Sequence, residues 1–242
     1  VCGKRPPAGE FAAWDLKTKS PAQLPSVPSG GRAPFVFNAT ARSVARLTGR
    51  FRNSLEILRL NNEGAITTTD SYLPFRGAST RGIALSLQGD LAFLTGVFRG
   101  SAALLNTRSG EFLENPPTHL SEITAASFAG DSASLATGSR DGLIKLWAIR
   151  GDENGKTVEA VTSLKGHRTP VLGLTHTVDG QRLVSFDSET IRIWDLSRSQ
   201  RLRRTLPDQS GTCYQLVFSS DNRWLVSVEN SLDGVQLRDA KT

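Results

Sequence analysis

Thr137-Gly138-Ser139-Arg140-Asp141-Gly142-Leu143-Ile144-Lys145-Leu146-Trp147-Ala148 and Val184-Ser185-Phe186-Asp187-Ser188-Glu189-Thr190-Ile191-Arg192-Ile193-Trp194-Asp195 follow one pattern. A small or polar residue is followed by a turn, an alternating apolar run and a Trp-Asp-like pair. Fainter ungapped copies run from Thr95-Gly96 to Leu105-Asn106 and from Thr48-Gly49 to Leu58-Arg59. Further copies end at Trp14-Asp15 and Arg238-Asp239.

The anchors at positions 14, 58, 105, 147, 194 and 238 are 42 to 47 residues apart. A period of about 40–45 with several short strands per unit is the β-propeller spacing; helical repeats of about 33–34 residues are not seen. Within Leu164–Asp195 three strands are legible. Val171, Leu172 and Leu174 precede the Asp179-Gly180 turn, Arg182–Phe186 follows it, and Thr190–Trp194 alternates with period two. Arg201–Leu206 is a faint fourth strand whose basic residues suit an exposed edge. Turn residues return at Gly89-Asp90, Gly130-Asp131 and Asp221-Asn222. Three stretches read as connections: Ser20–Pro34, Asn61–Phe75 and the polar hairpin loop Arg150–Thr157.

These residues resemble the WD-repeat β-propeller family, in a divergent, bacterial-type form. Gly166-His167 followed by Trp194-Asp195 is the landmark pair of that family, and Thr118-His119 with Trp147-Ala148 is its neighbour. The resemblance implies an all-β chain of four-stranded antiparallel blades. About five to six blades are expected in 1–242, as part of a seven- or eight-bladed ring, with units ending near 15, 59, 106, 148, 195 and 239. It also implies a structural blade network. One copy would be His119, Thr137, Asp141 and Trp147; the other would use His167, Ser185 and Trp194, with Ser188 at the Asp position and Asp187 one residue early. Arg99 and Arg52 replace the Asp, and Leu105 and Leu58 the Trp, in two earlier units, which leaves those blades to apolar packing alone. In the last unit Gln209 stands for the His and Arg238 for the Trp. Buried groups of this kind satisfy polar atoms and fix register, so their expected role is structural.

Composition agrees with a folded chain. The 242 residues are 38% hydrophobic and 21% charged, too apolar for a disordered chain. No apolar run reaches the roughly 18 residues of a membrane span. Two cysteines, Cys2 and Cys213, make no disulfide framework or CxxC metal site. The sequence starts at Val1 and has no Met, where about five are ordinary for this length, which suggests a fragment.

Catalytic signatures are missing. The three histidines, His119, His167 and His176, show no metal-ligand spacing, and His176 is expected at the surface. Gly151–Thr157 has three residues between its glycines where a phosphate loop needs four, and a strand pattern follows. There is no Gly-x-Ser-x-Gly elbow and no His-Glu-x-x-His. Asn38-Ala39-Thr40 fits a glycosylation pattern that chance also explains.

The net charge of +6 is uneven: residues 1–59 hold ten Lys+Arg against three Asp+Glu. Arg42, Arg46, Arg50 and Arg52 crowd one unit, and Arg198, Arg201, Arg203 and Arg204 another. This permits an anionic partner such as nucleic acid, though few aromatics lie among these arginines. The resemblance implies a non-catalytic scaffold for protein or peptide partners; no catalytic, cofactor or metal residues are expected, and the location is left open, with the cytoplasm favoured. Two alternatives are a regulatory propeller of a larger enzyme, such as a bacterial Ser/Thr kinase or protease, and anion binding by the basic N-terminal blades.

Overall fold

In the computed structural model, residues 13–15, 20–22, 35–38, 40–48, 54–62, 66–73, 80–96, 101–152, 155–177, 179–197, 201–207, 213–219, 221–229 and 235–239 are described. Among them there is no helix. β1 (Ala13–Asp15) pairs with β2 (Ser20–Ala22). β3 (Phe35–Asn38), β4 (Ser43–Thr48), β5 (Ser54–Leu60) and β6 (Ile66–Tyr72) form a four-stranded sheet. β7 (Thr80–Leu85), β8 (Leu91–Gly96) and β9 (Ala102–Asn106) form the next. β10 (Ile123–Phe128), β11 (Ser134–Ser139), β12 (Ile144–Asp152) and β13 (Gly155–Leu164) follow as a four-stranded sheet. So do β14 (Gly173–His176), β15 (Arg182–Phe186), β16 (Thr190–Asp195) and β17 (Arg201–Pro207). β18 (Cys213–Phe218), β19 (Trp224–Glu229) and β20 (Val235–Asp239) close the series. Every pairing is antiparallel between strands consecutive in sequence. These are propeller blades.

Alternation along the strands explains how the blades stack. A strand points successive side chains to opposite faces, so a sheet covered on both sides must be apolar on both. In β11 and β12, Leu135 and Trp147 pack back on Phe93 and Leu104, while Ala136 and Leu146 pack forward on Leu183 and Trp194. The next blade repeats the arrangement, with Leu183 and Trp194 facing back and Val184 and Ile193 forward onto Leu216 and Leu225. Phe93 is fully buried between blades, which stabilises by about 2–3 kcal/mol. The first strands β3, β7, β10, β14 and β18 touch in that order, which places them innermost. Among the described residues no comparable contact joins β18 back to β3, so the series is open. The forward face of the last sheet leaves Val217, Val228, Val235 and Leu237 exposed.

The hairpin between first and second strands is alike in the five sheets from β3 onward. One residue takes a left-handed φ: Arg42 (46°), Gly89 (68°), Ser132 (57°), Gly180 (67°) and Asn222 (56°). Asp131, Asp179 and Asp221 brace the turn, each accepting at Oδ1 the N–H two residues on, at 2.9–3.0 Å. In three sheets a hydroxyl at the end of the first strand (Ser86, Thr177, Ser219) accepts the N–H that opens the second.

Three connections differ from the sequence reading. Asn61–Phe75 contains strand β6, whose residues are mostly exposed on both faces and therefore carry no period-two signal. The third sheet has three strands and a single further bridge, Leu105 to Phe112. Beyond it Asn115 turns with φ 51°, and Pro116 and Pro117 have no N–H for a ladder. In the 164–195 unit the first strand starts at Gly173, and Val171 plugs the space over Gly138, where a Cβ would lie 2.5 Å from Val171 Cγ1. Gly151–Thr157 belongs to the β12–β13 hairpin, so no helix N-terminus exists there for a phosphate.

Gly173 sits under the Phe186 ring, where a Cβ would lie 2.0 Å from Cε1. Gly173→Ala should therefore cost about 2 kcal/mol by overpacking. Urea unfolding measures it, and the double variant Gly173→Ala/Phe186→Leu should recover part of the loss.

Candidate functional site

The polar chemistry of the chain is concentrated inside the blades. Thr137, on β11, bonds the loop before the sheet and the third strand at once: its Oγ1 lies 2.8 Å from His119 Nε2 and accepts Trp147 Nε1–H at 2.8 Å. All three side chains are buried. Asp141 stands apart from this cluster, bonding Ser139 Oγ and the Leu143 N–H, and His119 Nδ1 has no partner. Burial, with the Lys145 cation next, pushes His119 down to about 4 against the pull of Asp141.

The second copy is complete. Ser185 Oγ lies 2.6 Å from His167 Nε2 and accepts Trp194 Nε1–H at 2.8 Å. His167 Nδ1 donates to Asp187 Oδ2 at 2.7 Å. Asp187, not Ser188, fills the carboxylate position. Its other oxygen accepts the Glu189 and Thr190 N–H groups and the Thr190 hydroxyl. Asp187 lies two residues after Ser185 and seven before Trp194, whereas Asp141 lies four after Thr137 and six before Trp147. Burial pushes Asp187 up, but these backbone donors and His167 outweigh it and hold the carboxyl below its usual range. Burial likewise lowers His167, against the hydrogen bond that it donates to Asp187. The pair is a neutral imidazole on an ionised carboxylate. Gly166 clears the space beside it, since a Cβ there would meet Arg192 Nη1 at 2.7 Å and Trp194 Cη2 at 3.3 Å.

Strand register locates the equivalent positions elsewhere. Thr137, Ser185 and Ser227 each lie two residues past the partner of Trp147, Trp194 or Arg238. Arg238 Nη1 donates to Ser227 Oγ, so a guanidinium makes the bond that an indole makes in the other two blades. Gln209, the residue at the histidine position, is outside the described residues, as are Arg52 and Arg99. The same register puts Leu94 two residues past the partner of Leu105, and Arg46 two residues past the partner of Leu58, where ungapped alignment suggested Thr95 and Thr48. Leu94 and Leu105 are fully buried, an apolar replacement. The blade of β3–β6 is not held by apolar packing alone: Arg46 Nη2 pairs with Glu56 Oε2 at 2.6 Å, and Thr48 Oγ1 bonds the same carboxylate at 3.2 Å.

His176 is buried, not at the surface; its ring is packed at the end of β14 with Nδ1 3.1 Å from Ser127 Oγ. A lone histidine in a short strand gave no signal of this.

Ser185, His167 and Asp187 repeat the bonding order of a nucleophile, base and orienting acid. A nucleophile must be reachable, however, and Ser185 is 0% exposed with its oxygen capped by the Trp194 indole. Among the described residues no group of three or more His, Cys, Asp or Glu is placed to hold a metal ion. No helix among them is long and apolar enough to cross a membrane.

The outer surface carries a different chemistry. Leu120 is 97% exposed, on a loop pinned by buried His119 on one side and on the other by Glu122, whose carbonyl accepts the Arg140 N–H. The Glu122 carboxylate pairs with both Arg81 and Arg140, whose side chains are more than half exposed. In the basic N-terminal unit Arg46 is neutralised by Glu56, Arg42 is exposed, and Arg50 and Arg52 lie outside the described residues. So does Arg198, together with the side chains of Arg201 and Arg203; Arg204 is exposed.

The family model "WD domain, G-beta repeat" matches residues 110–148 and 158–195, the two stretches that hold these networks. The chain carries WD repeats. Nuclear distribution protein nudF of Aspergillus terreus (strain NIH 2624 / FGSC A1156) is 36% identical over 124 residues, 51% of this chain and 24% of that protein. Target of rapamycin complex subunit wat1 of Schizosaccharomyces pombe (strain 972 / ATCC 24843) is 28% identical over 127 residues, 52% of this chain and 38% of that protein. The matches therefore span well under two thirds of these relatives' own lengths. Both are fungal proteins, which corrects the bacterial-type reading of the WD repeats. A chain of the mitotic checkpoint complex crystal structure superposes with a TM-score of 0.69 at 17% identity, covering 84% of this chain and 60% of that one. That likeness concerns the WD-repeat propeller fold.

Two expectations follow from the networks. Asp187→Ala strands His167 Nδ1 and two backbone N–H groups and should cost about 3 kcal/mol, whereas Ser188→Ala should stay within about 0.5 kcal/mol, both measured by urea unfolding. The acid limb of stability belongs to the histidines. A histidine held below its ordinary value takes up a proton on unfolding. Its stabilising contribution is therefore full above pH 6.5 and is lost as pH falls toward the value of about 4 for His119 and His176. Tm should be flat above pH 7 and drop by about 5 °C or more by pH 5.

Proposed function

We propose that the chain is a non-catalytic scaffold that binds protein partners. The observation that carries this is Leu120: a large apolar side chain held almost wholly in solvent by a loop whose flanks are fixed from inside the blade. Loops on a rigid scaffold are where binding side chains concentrate. The flanking arginines share a single carboxylate, which leaves excess positive charge around the apolar centre. Such a centre with a charged rim is the anatomy of a protein interface.

The buried networks favour the same reading. Every member of the Ser185–His167–Asp187 set is spent on holding the blade together. The names of the similar proteins, a nuclear distribution protein, a complex subunit and a checkpoint complex, support assembly with other proteins as the role. Nucleic-acid binding is disfavoured where it can be judged, because Arg46 in the basic unit already has a carboxylate partner.

The test uses affinity purification with quantitative mass spectrometry, comparing the wild-type chain with Leu120→Asp. The reading expects a partner near one-to-one stoichiometry that Leu120→Asp weakens at least about tenfold, with Tm unchanged, as for an interface anchor. Absence of any stoichiometric partner, or a partner indifferent to Leu120→Asp and to Arg140→Glu, would overturn it.

A further inference from the structure

On the third strand of each blade one residue is paired across from the network position of the second strand. In the five sheets from β3 onward it is Glu56, Ala103, Lys145, Arg192 and Gln236. Three of these are satisfied within the chain. Arg46 pairs with Glu56, Lys145 Nζ donates to the Thr118 carbonyl at 2.9 Å, and Gln236 Oε1 accepts from Arg238 Nη2 at 2.8 Å. Ala103 has no polar side-chain group to satisfy. Arg192 is the exception. It is half-buried, its Nε is enclosed without a partner, and among the described residues no carboxylate or carbonyl meets its guanidinium. The two Nη atoms, unlike Nε, are open to solvent. Nη1 lies against Gly166, where an added Cβ would come within 2.7 Å of it.

Gly166 belongs to the loop that leads into β14, and this loop adds two more cations. Lys165 and Arg168 are exposed, and among the described residues neither meets a carboxylate. Two carboxylates belong to the same blade. Asp187 is buried and bonded to His167, and Glu189 is exposed on the turn before β16; neither pairs with Arg192. The loop is fixed in advance. His167 is bonded to Ser185 and Asp187, and the Ser188 hydroxyl donates to Thr169 Oγ1 at 3.0 Å. A cation partly removed from water without a counter-charge is costly, and an anion that supplies acceptors at a fixed loop recovers that cost.

We propose that the Nη edge of Arg192, with Lys165 and Arg168, is a binding site for a phosphate monoester. The two Nη groups present a planar fork that matches two phosphate oxygens. A phosphate monoester carries close to two negative charges at neutral pH and three terminal oxygens, so it engages the fork and both neighbouring cations. A carboxylate would cancel only one of the three charges. The site is on the rim that carries Leu120: the Arg140 N–H bonds the Glu122 carbonyl, and Gly142 of the same turn packs on the His167 and Thr169 carbonyls. It uses none of the residues of the Leu120 loop, so its failure would leave the scaffold reading intact, and the reverse also holds.

The probes are inorganic phosphate, N-acetyl-phosphoserine amide, acetate and a ten-residue oligothymidylate. Each is titrated into the intact chain at pH 7.5 and constant ionic strength, and followed by nitrogen-15 NMR of Arg192 Nε–H and the Lys165–Arg168 backbone. The expected result is saturable binding of both phosphate compounds with shifts at these groups, and acetate weaker by roughly tenfold or more. Arg192→Gln should bring phosphate down to the affinity of acetate and, because the arginine has no partner to lose, should not lower Tm. Should Arg192→Gln fail to fold, the exposed pair Lys165→Ala/Arg168→Ala decides: it should weaken phosphate several-fold with Tm unchanged. Leu120→Asp should leave phosphate binding as it is. N-acetyl-phosphoserine amide binding more tightly than inorganic phosphate identifies the natural group as a phosphorylated side chain of a polypeptide; weaker binding identifies a small free phosphate compound. The proposal is overturned if neither phosphate compound gives a saturable shift, if acetate binds as tightly, if oligothymidylate binds more tightly than both and so assigns the cations to a nucleic-acid backbone, or if the variant that folds leaves phosphate affinity unchanged.

Discussion

One buried hydroxyl on the second strand of a blade holds together three parts of the chain. Thr137 and Ser185 each bond a histidine from the loop that leads into the sheet and an indole from the third strand. A single oxygen thus fixes the loop, the second strand and the third strand relative to one another. In a water-free setting such bonds are strong when satisfied and costly when not, which is why they define one register and reject its neighbours. The loop geometry that sets Leu120 in solvent depends on His119 being held in this way.

Around that constraint the blades vary. The Arg238 guanidinium takes the part of the indole on Ser227; Arg46 and Glu56 replace the hydroxyl by an ion pair; Leu94 and Leu105 replace it by apolar contact. What does not vary is the two-faced packing. Each interior sheet gives one set of alternate residues to the blade before it and the other set to the blade after it. The polar networks select register, and the apolar faces supply most of the burial.

Much of the fold was legible because the repeat writes the same physics several times. The 42–47 residue spacing, the Trp anchors and the Asp-containing turns each reflect a geometric need, and the strands fall where alternation put them. Strand β6 was not legible, because an outer strand exposed on both faces has no reason to alternate. Nor was the role of Asp187. Counting back from Trp194 as from Trp147 to Asp141 points to Ser188, but Asp187, two residues after Ser185, is the one that reaches His167. Shifts of one and two residues likewise moved Thr95 and Thr48 away from the place that Leu94 and Arg46 occupy. The burial of His176 depends on packing between β10 and β14, a contact some fifty residues apart that no local pattern encodes.

The account rests on the buried triad-like set being structural: a neutral His167 donating from Nδ1 to an ionised Asp187 and accepting from Ser185. Nitrogen-15 NMR of the His167 ring reads this directly. The account predicts an Nδ1–H tautomer, a neutral ring across pH 7.5 to 5.5, and slow exchange of the Nδ1 proton with water. A ring that titrates near 6.5, or an Nδ1 proton exchanging as fast as one in solvent, would contradict it.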